Sequence, residues 1–345
     1  MRVIIDVMGG DRPEESVRGA LRAAKEFGEV KVTAVGDKEL IERIVAEENA
    51  SALGMDAVFT TEVISNDESP TMAIKQKKDS SMVRALTMLK EDADSIGMIS
   101  TGSTGAVLTG ATLHIGRLPG IYRPTLLTQA PAMNGQPVCI ADGGANVDSR
   151  PEWLYQFAVI GSAYMKVVTG RENPSVALLS VGTEEHKGNE LTRAAYALLR
   201  ESNLNFVGNI EARDALSGKY DVIVCDGYDG NILIKSTEGA AKMIMSLLKG
   251  FVMESTKAKI GYLFMKKALM KLKNRMDFNN YGGAPFLGIK KCVIKAHGAS
   301  KAGAVYNAVG QVLKIKKGNV IESIGRAFAG GAERKLTNTK KSKRL

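Results

Sequence analysis

The sequence predicts an α/β fold in which a mostly parallel sheet is covered by helices on both faces. Short β-branched runs alternate with helical periodicity over most of the 345 residues, which is the pattern of strand–helix–strand units. Apolar residues make up 44% of the chain and charged residues 24%, as in globular proteins with a sizeable core. No internal repeat or Pro/Ser-rich linker divides the chain, so we expect one α/β domain over residues 1–330.

The positions of the strands and helices are predicted from the pattern of apolar residues along the chain. Buried strands are predicted at residues 3–5, 30–35, 96–99, 176–181, 222–224 and 292–294. Helical periodicity predicts helices at residues 14–27, 38–48, 80–91 and 190–201. Ligands of open parallel sheets bind outside the carboxyl ends of the strands, so the Gly-rich polar segments that follow these strands are the candidate site.

Residues 238–278 depart from this rhythm, and we interpret them as a helical excursion from the α/β body. In its first half an apolar stripe is expected to pack against protein; its members are Met243, Ile244, Leu247, Leu248, Phe251 and Val252. The second half carries lysines around another stripe, formed by Tyr262, Met265, Leu269, Leu272 and Met276. A basic amphipathic helix of this kind favours an anionic membrane surface, although core or dimer packing is the alternative. The basic tail, residues 331–345, is expected to be disordered.

The charge of the chain indicates the kinds of partner it binds, and its cysteine content indicates the cellular compartment. The chain has 47 Lys and Arg against 37 Asp and Glu, a net charge of +10, which favours nucleic acid, anionic lipid or an acidic protein as partner. Cys139, Cys225 and Cys292 form no CxxC pair, so a cytoplasmic location is expected. No signal peptide, spanning apolar run, GxSxG, HExxH or GxGxxG motif is present, so serine hydrolase, zinc and dinucleotide chemistry find no support.

Three of the strand-end segments offer backbone and small polar groups. Their candidate substrate-binding residues are Gly9, Gly10 and Asp11 after the first strand, Ser100, Gly102, Ser103 and Thr104 after the third, and His297 after the last. Small residues at a helix start let backbone N–H groups face an anion. The alternative for residues 100–106 is a Ser/Thr helix cap.

Residues 142–146 and 226–231 are two further candidate loops. A helix after the first loop carries its own start signals at Ser149 and Pro151, which leaves Asp142 and Asn146 available, although a structural turn is equally open. The second loop contains Asp226, Gly227, Gly230 and Asn231, with an Asx turn as the alternative. Cys225, which ends an apolar strand, is interpreted as an inert buried thiol.

Residues 184–189 form the densest cluster of reactive side chains. Lys187 is suited to hold a dianion, Asn189 to donate to a carbonyl oxygen, and His186 to move protons. A solvated charged face is the alternative.

Taken together, these loops resemble the bacterial phosphate acyltransferase family, which makes acyl phosphates from acyl-carrier-protein thioesters. The resemblance covers residues 3–329, and its matching stretches are 6–11, 77–82, 143–148, 156–158, 187–189, 206–211 and 225–231. Two departures are visible: Ser103 stands where the family usually has asparagine, and Lys301 where it often has an acid or amide.

The resemblance implies a homodimeric three-layer αβα sandwich, related to phosphate acetyltransferases and isocitrate dehydrogenase, without metal or organic cofactor. Its substrates would be inorganic phosphate and acyl-[acyl-carrier protein], with nucleic acid excluded as partner and peripheral contact with the inner face of the cell membrane. We expect Lys187 to neutralise phosphate, and Asn231 and the N–H groups near Gly102 and Gly230 to donate to the oxyanion or to phosphate. Asp226 is expected to orient its loop, and His186 or His297 to move a proton. An enzyme of the phosphate acetyltransferase type, acting on acyl-coenzyme A, is the alternative.

Overall fold

The described strands form two largely parallel sheets in the computed structural model, which describes residues 1–50 and 54–329. The larger sheet consists of β1 (Arg2–Asp6), β2 (Lys31–Gly36), β3 (Asp56–Phe59), β4 (Ser95–Ser100), β5 (Thr125–Leu126), β11 (Ala284–Leu287) and β12 (Cys292–Lys295). Its strand order is β3-β2-β1-β4-β12-β11-β5. Only β11 runs against the other strands, since it pairs antiparallel with both β12 and β5.

The smaller sheet is built from the middle of the chain. It consists of β6 (Thr128–Pro131), β7 (Pro137–Ala141), β8 (Ser175–Leu179), β9 (Asn205–Ile210) and β10 (Val222–Val224), in the order β6-β7-β10-β8-β9. β6 is antiparallel to β7, and the other pairs are parallel. The carboxyl ends of β7, β8 and β10 therefore lie at one edge of this sheet.

The helices connect and cover the strands. They are α1 (Pro13–Glu26), α2 (Lys38–Glu47), α3 (Pro70–Gln76), α4 (Ser81–Glu91), α5 (Thr104–Gly110), α6 (Pro151–Thr169), α7 (Glu190–Arg200), α8 (Gly227–Glu254), α9 (Thr256–Arg275), α10 (Ala302–Lys317) and α11 (Val320–Ala329). One buried cluster contains apolar side chains of β1 and of β8, so the two sheets share a continuous core. Tyr164 of α6 lies in this core and forms hydrogen bonds with Gln129 of β6 and Gln311 of α10.

The α/β class and all six predicted strands are confirmed, with ends shifted by one or two residues. Strands β3, β5, β6, β7, β9 and β11 were not predicted, and neither was the division into two sheets. The predicted cap of α6 was wrong, because Arg150 is the N-cap and Pro151 begins the helix. Ser149 instead donates its backbone N–H to Asp226 at 2.8 Å. The predicted disordered tail, residues 331–345, lies outside the described residues.

The helical excursion forms a hairpin of α8 and α9, whose exposed faces differ from those predicted. On α8 the stripe expected to pack is largely exposed within this chain, with Phe251 at 63%. On α9 the predicted membrane-facing stripe divides: Met265 and Leu272 are exposed, whereas Tyr262, Leu269 and Met276 are half-buried. The exposed apolar residues that were not predicted are Ile260, Leu263, Phe264 and Met270, and Phe264 reaches 86% exposure. No helix in the described ranges is long and apolar enough to cross a membrane.

Candidate active site

The candidate active site lies where strand ends of both sheets approach helix α8. β1, β4 and β12 end at one edge of the larger sheet, because all three are parallel. Helix α8 begins directly after β10 of the smaller sheet. It passes the segment after β12 closely enough that Lys235, Glu238 and Lys242 all influence the pKa of His297. The segments after β12 and β10 are thus brought together along α8.

The loops after β1 and β4 are locked together around a buried carboxylate. Asp6 accepts hydrogen bonds from the Ser100 hydroxyl at 2.7 Å and from the Met8 N–H at 3.2 Å. Burial raises the pKa of Asp6, against the lowering effect of these donors. Ser100 Oγ in turn accepts from the Gly102 N–H at 3.0 Å. That N–H is therefore already bonded, and donation to the oxyanion or to phosphate by other N–H groups near Gly102 stays a prediction.

Close backbone contacts explain the glycines of the first loop. A Cβ on Gly9 would lie 2.7 Å from the Gly102 Cα, and one on Gly10 would lie 2.4 Å from Thr101 Oγ1. The next residue, Asp11, is exposed and donates its N–H to the Gly298 carbonyl at 2.9 Å. Gly9 and Gly10 are thus needed for the three segments to meet, whether or not substrate contacts them.

Ser103 and Thr104 lie at the start of α5. Ser103 is the N-cap of this helix but makes no capping hydrogen bond through its side chain. Both residues are half-buried. The side-chain cap that was the alternative interpretation of this loop is therefore not formed, and their role in binding substrate stays a prediction.

Lys295, at the end of β12, is a half-buried cation that was not among the predicted site residues. Its Nζ donates to the Thr101 carbonyl at 3.2 Å and to the Ala296 carbonyl, and it forms no ion pair within the described part of the chain. Burial lowers the pKa of Lys295 to about 8. Asp11 and Asp6 oppose this shift, and Lys235 of α8 adds to it.

His297 is exposed, and its Nδ1 accepts a hydrogen bond from the Ala299 N–H at 3.2 Å. Partial burial lowers its pKa, and Lys295, Lys235 and Lys242 lower it further, against the opposing effect of Glu238. Since the ordinary pKa of histidine is about 6.5, His297 is mainly neutral at pH 7. It is therefore suited to accept a proton and poorly suited to supply one.

Asp142 organises the loop after β7. Its Oδ1 accepts from the N–H groups of Leu126, Gly144 and Ala145, and its Oδ2 accepts from the backbone and side-chain nitrogens of Asn146. Asn146 also donates to the Pro124 carbonyl at 2.9 Å. Asp142 is fully buried, so its carboxylate acts on this loop rather than at an open surface.

The start of α8 packs closely against the backbone of that loop. Asp226 caps the helix by accepting from the Tyr228 N–H at 2.7 Å, and it also accepts from Ser149. A Cβ on Gly227 would lie 2.4 Å from the Asn146 carbonyl oxygen, and one on Gly230 only 1.9 Å from the Asp142 carbonyl oxygen. The Gly230 N–H donates to the Asp226 carbonyl at 2.9 Å and is already bonded. Donation to the oxyanion or to phosphate by other N–H groups near it stays a prediction.

Asn231 follows on the same helical turn and is half-buried. Its side chain faces Gly144, at 3.3 Å between Asn231 Cβ and the position of a Cβ on that glycine. Its amide has no hydrogen bond to any described residue. A free amide at the edge of two interlocked loops can donate to a substrate oxygen.

The loop after β8 is the most exposed part of the site. Lys187 and His186 are exposed, and Lys187 forms no ion pair among the described residues. Asn189 caps α7, since its Oδ1 accepts from the Thr192 N–H at 2.9 Å. Its Nδ2 is left for another acceptor. The structure brings this loop to the same sheet edge as the Asp226 segment, because β8 and β10 are parallel neighbours.

Comparison with known proteins shows the family to which this chain belongs. A family described as "Fatty acid synthesis protein" matches residues 1–323. A phosphate acyltransferase of Clostridioides difficile (strain 630) is 46% identical over 340 residues, which are 98% of this chain and 99% of that protein. The chain belongs to the phosphate acyltransferase family. A phosphate acyltransferase of Shouchella clausii is 42% identical over 335 residues, 96% of this chain and 100% of the relative.

Solved structures show the same fold in phosphotransacylases. A phosphotransacetylase from Streptococcus pyogenes matches with a TM-score of 0.57 and 18% identity, over 93% of this chain and 94% of that one. A branched-chain phosphotransacylase from Enterococcus faecalis matches with a TM-score of 0.55 and 12% identity, over 91% and 98%. The family member described here is thus an acyltransferase with an α/β fold.

The one cysteine near the site is not suited to carry an acyl group. Cys225 is buried, and its Sγ lies 3.5 Å from the Asp142 carbonyl oxygen. Burial raises its pKa well above the ordinary value, and the nearby carboxylates raise it further. The thiol is therefore protonated and a poor nucleophile, which confirms the interpretation of Cys225 as an inert buried residue.

Proposed function

We propose that this acyltransferase moves a fatty acyl group from the thioester of an acyl-carrier protein to inorganic phosphate, giving acyl phosphate for phosphatidic acid and phospholipid synthesis. The observation that carries the proposal is a pair of lysines, one at the end of β12 and one on α8. Lys295 of the larger sheet and Lys235 of α8 lie close enough for Lys235 to lower the pKa of Lys295, and neither has an ion-pair partner in the described residues. Two unpaired cations at this edge attract a dianion such as phosphate.

Phosphate is itself a competent nucleophile, so its oxygen attacks the thioester carbonyl carbon without an acyl-enzyme. The attack requires neutralisation of phosphate charge and donors for the tetrahedral oxyanion, each worth ~10²–10³ in rate. We assign Lys187 to phosphate, from the open side of the loop after β8, and the Asn231 amide to the oxyanion. Asp226 and Asp142 act as positioning residues, because their carboxylates hold the start of α8 and the loop beside it.

The proposed donor is an acidic carrier protein, which the net charge of +10 favours. An acyl-coenzyme A donor is the second candidate and is an outcome of the same assay. We further propose that the chain is a homodimer on the cytoplasmic side of the cell, since the apolar stripe of α8 is uncovered in a single copy and suits a partner of the same kind.

Peripheral contact with an anionic membrane is proposed for α9. Ile260, Leu263 and Phe264 recur at three- and four-residue spacing, share one face and are all exposed. Lys267 and Lys271 lie nearby on the same helix and are exposed as well. A helix with apolar and basic residues exposed together can lie in the headgroup region, and each cation contributes about 1 kcal/mol near an anionic surface.

One assay tests the reaction. The protein is incubated with long-chain acyl-carrier protein or with the same acyl chain on coenzyme A, with and without phosphate. Release of free thiol and formation of acyl phosphate, trapped as hydroxamate, are both followed. Phosphate-dependent release from the carrier protein supports the proposal; release from coenzyme A alone supports the second candidate. Thiol release that does not depend on phosphate contradicts both.

A further inference from the structure

The end of β12 carries a protonatable group whose charge is used above but whose proton is not. Lys295 is the last residue of β12, and its register partner on the neighbouring strand is Ser100 at the end of β4. Its ammonium has three N–H bonds, of which two are directed to the carbonyls of Thr101 and Ala296. The third has no acceptor among the described residues.

Two hydroxyls in the adjoining segments also lack partners, one of them on Thr101, whose carbonyl accepts from Lys295. Thr101 Oγ1 and Ser300 Oγ are both buried without a hydrogen bond, and both residues are 3% exposed. They lie in the segments that directly follow β4 and β12. Unpaired buried hydroxyls are uncommon in folded proteins and mark places where another polar group is expected.

We propose that Lys295 carries the proton between the two substrates: its ammonium protonates the departing thiolate, and its amine then takes the proton that phosphate gives up. The inference rests on the proposed function, which requires that proton to move. In the first step an oxygen of HPO₄²⁻ forms a C–O bond to the thioester carbon, and the carbonyl π electrons move to the oxygen. When the intermediate collapses, the C–S bond breaks and its electron pair leaves on sulfur.

The proton balance closes without any further reactant. Sulfur receives a proton from Lys295 Nζ, and the neutral amine receives the proton of the attacking phosphate. Thioester and HPO₄²⁻ thus become acyl phosphate dianion and free thiol, and Lys295 ends as it began. The groups that face Lys295 set this balance: Asp6 and Asp11 after β1, Lys235 of α8, and His297 of its own segment.

Burial brings the pKa of Lys295 to about 8, close to that of a cysteine thiol at about 8.5. Proton transfer between groups of matched pKa is efficient in both directions. The pKa of the neighbouring His297 is lowered and does not match that of the thiol. This histidine is therefore mainly neutral when the thiolate departs. Lys295 is therefore better suited to this step than the histidine predicted from the sequence.

The decisive variant is Lys295→Arg, which keeps the positive charge but cannot give up its proton, since the guanidinium pKa exceeds ~12. With acyl-carrier protein as donor, we expect kcat to fall at least ~100-fold, in line with loss of general acid catalysis, while the phosphate KM changes little. The matched control is Lys291→Arg at the opposite end of β12, where Nζ donates to the carbonyls of Leu89 and Asp92. It should have the wild-type kcat. Wild-type kcat in Lys295→Arg would overturn the proposal.

The leaving group provides a second test that needs only the wild-type enzyme. A nitrophenyl thioester releases a thiolate that needs no proton, whereas an N-acetylcysteamine thioester of the same acyl chain releases an alkyl thiolate. We expect kcat for the carrier-protein and alkyl donors to fall as pH rises through about 8, where Lys295 loses its proton. The aryl donor should lose this alkaline limb, and with it Lys295→Arg should regain activity. A limb that is the same for all donors would assign Lys295 to charge alone.

These outcomes separate the two proposals. If wild-type protein forms no acyl phosphate from any donor, the proposed function fails. If wild type forms it and Lys295→Arg does so equally well, only the proton-carrying role fails. Should Lys295→Arg melt at a much lower temperature than Lys291→Arg, the wild-type profiles with aryl and alkyl donors decide alone.

Discussion

Replacing Gly230 by alanine tests whether the close fit of α8 against the loop after β7 sets the geometry of the site. The new Cβ would lie 1.9 Å from the Asp142 carbonyl oxygen, about 1.5 Å short of the 3.4 Å at which ordinary contacts begin. Neither atom belongs to a flexible side-chain end, so the start of α8 must move by on the order of 1 Å. A displacement of this size at a catalytic site costs ~10²-fold in rate.

The cost in stability should be smaller than the cost in activity. Overpacking of this kind costs about 1–3 kcal/mol, and alanine regains roughly 1 kcal/mol of helix propensity over glycine. We therefore expect Gly230→Ala to fold, to melt a few degrees lower, and to lose ~100-fold in kcat/KM for phosphate-dependent thiol release.

Gly239 provides the control, because it lies in the same helix and a Cβ there meets nothing within 4 Å. Gly239→Ala should be fully active and slightly more stable. If Gly230→Ala has wild-type kcat/KM, the contact between α8 and Asp142 does not position the site, and the roles assigned to Asp142 and Asp226 are wrong.

Three further predictions concern the positive charge of Lys187, the thiol of Cys225 and the exposed face of α9. Lys187→Ala should raise the phosphate KM at least ~10-fold, on the order of 1.4 kcal/mol; unchanged phosphate kinetics in a folded variant would remove Lys187 from the site. Cys225→Ala should remain active, because the buried thiol is not the nucleophile, and an acyl group trapped on the wild-type protein by acid quench would contradict this. Replacing Leu263 and Phe264 by glutamate should abolish cosedimentation with anionic vesicles and spare acyl transfer, whereas Leu113→Glu, at a 56% exposed position elsewhere, should still bind. Vesicle binding by the double variant would refute the membrane role of α9.

The sequence was sufficient to locate the long elements and the loops that follow them, because apolar periodicity is a local signal. It was not sufficient to divide the strands between two sheets, since strand order depends on pairing between distant segments. β5 has only two residues and β3 only four, too few to give a clear pattern. On α9, periodicity identified apolar residues but not which side faces the body, so three of the five residues of the predicted stripe are half-buried.

The site was predicted in part, and the differences have a common cause. The sequence identified the polar residues at the strand ends but not their hydrogen-bond partners. The carboxylate oxygens of Asp142 and Asp226 accept hydrogen bonds from backbone N–H groups of neighbouring loops. Lys295 was missed because a lysine at the end of an apolar strand is usually solvated. Its burial comes from β4 and α8, which are far away in sequence. Its position directly before the His297 segment was the only local signal.

The position of β12 also has a consequence for the order in which the protein folds during synthesis. β12 pairs with β4, about 190 residues earlier in the chain, whereas every strand of the smaller sheet lies between Thr128 and Val224. The smaller sheet can therefore form while roughly 70 residues are still needed before β12 appears, a delay of about 3–14 s at ordinary rates of translation. During this interval the edge of β4 that β12 will cover stays open for pairing with other chains. Lys295 arrives with the strand that closes this edge, so the nascent chain gains its proton carrier and its protection from aggregation in the same step.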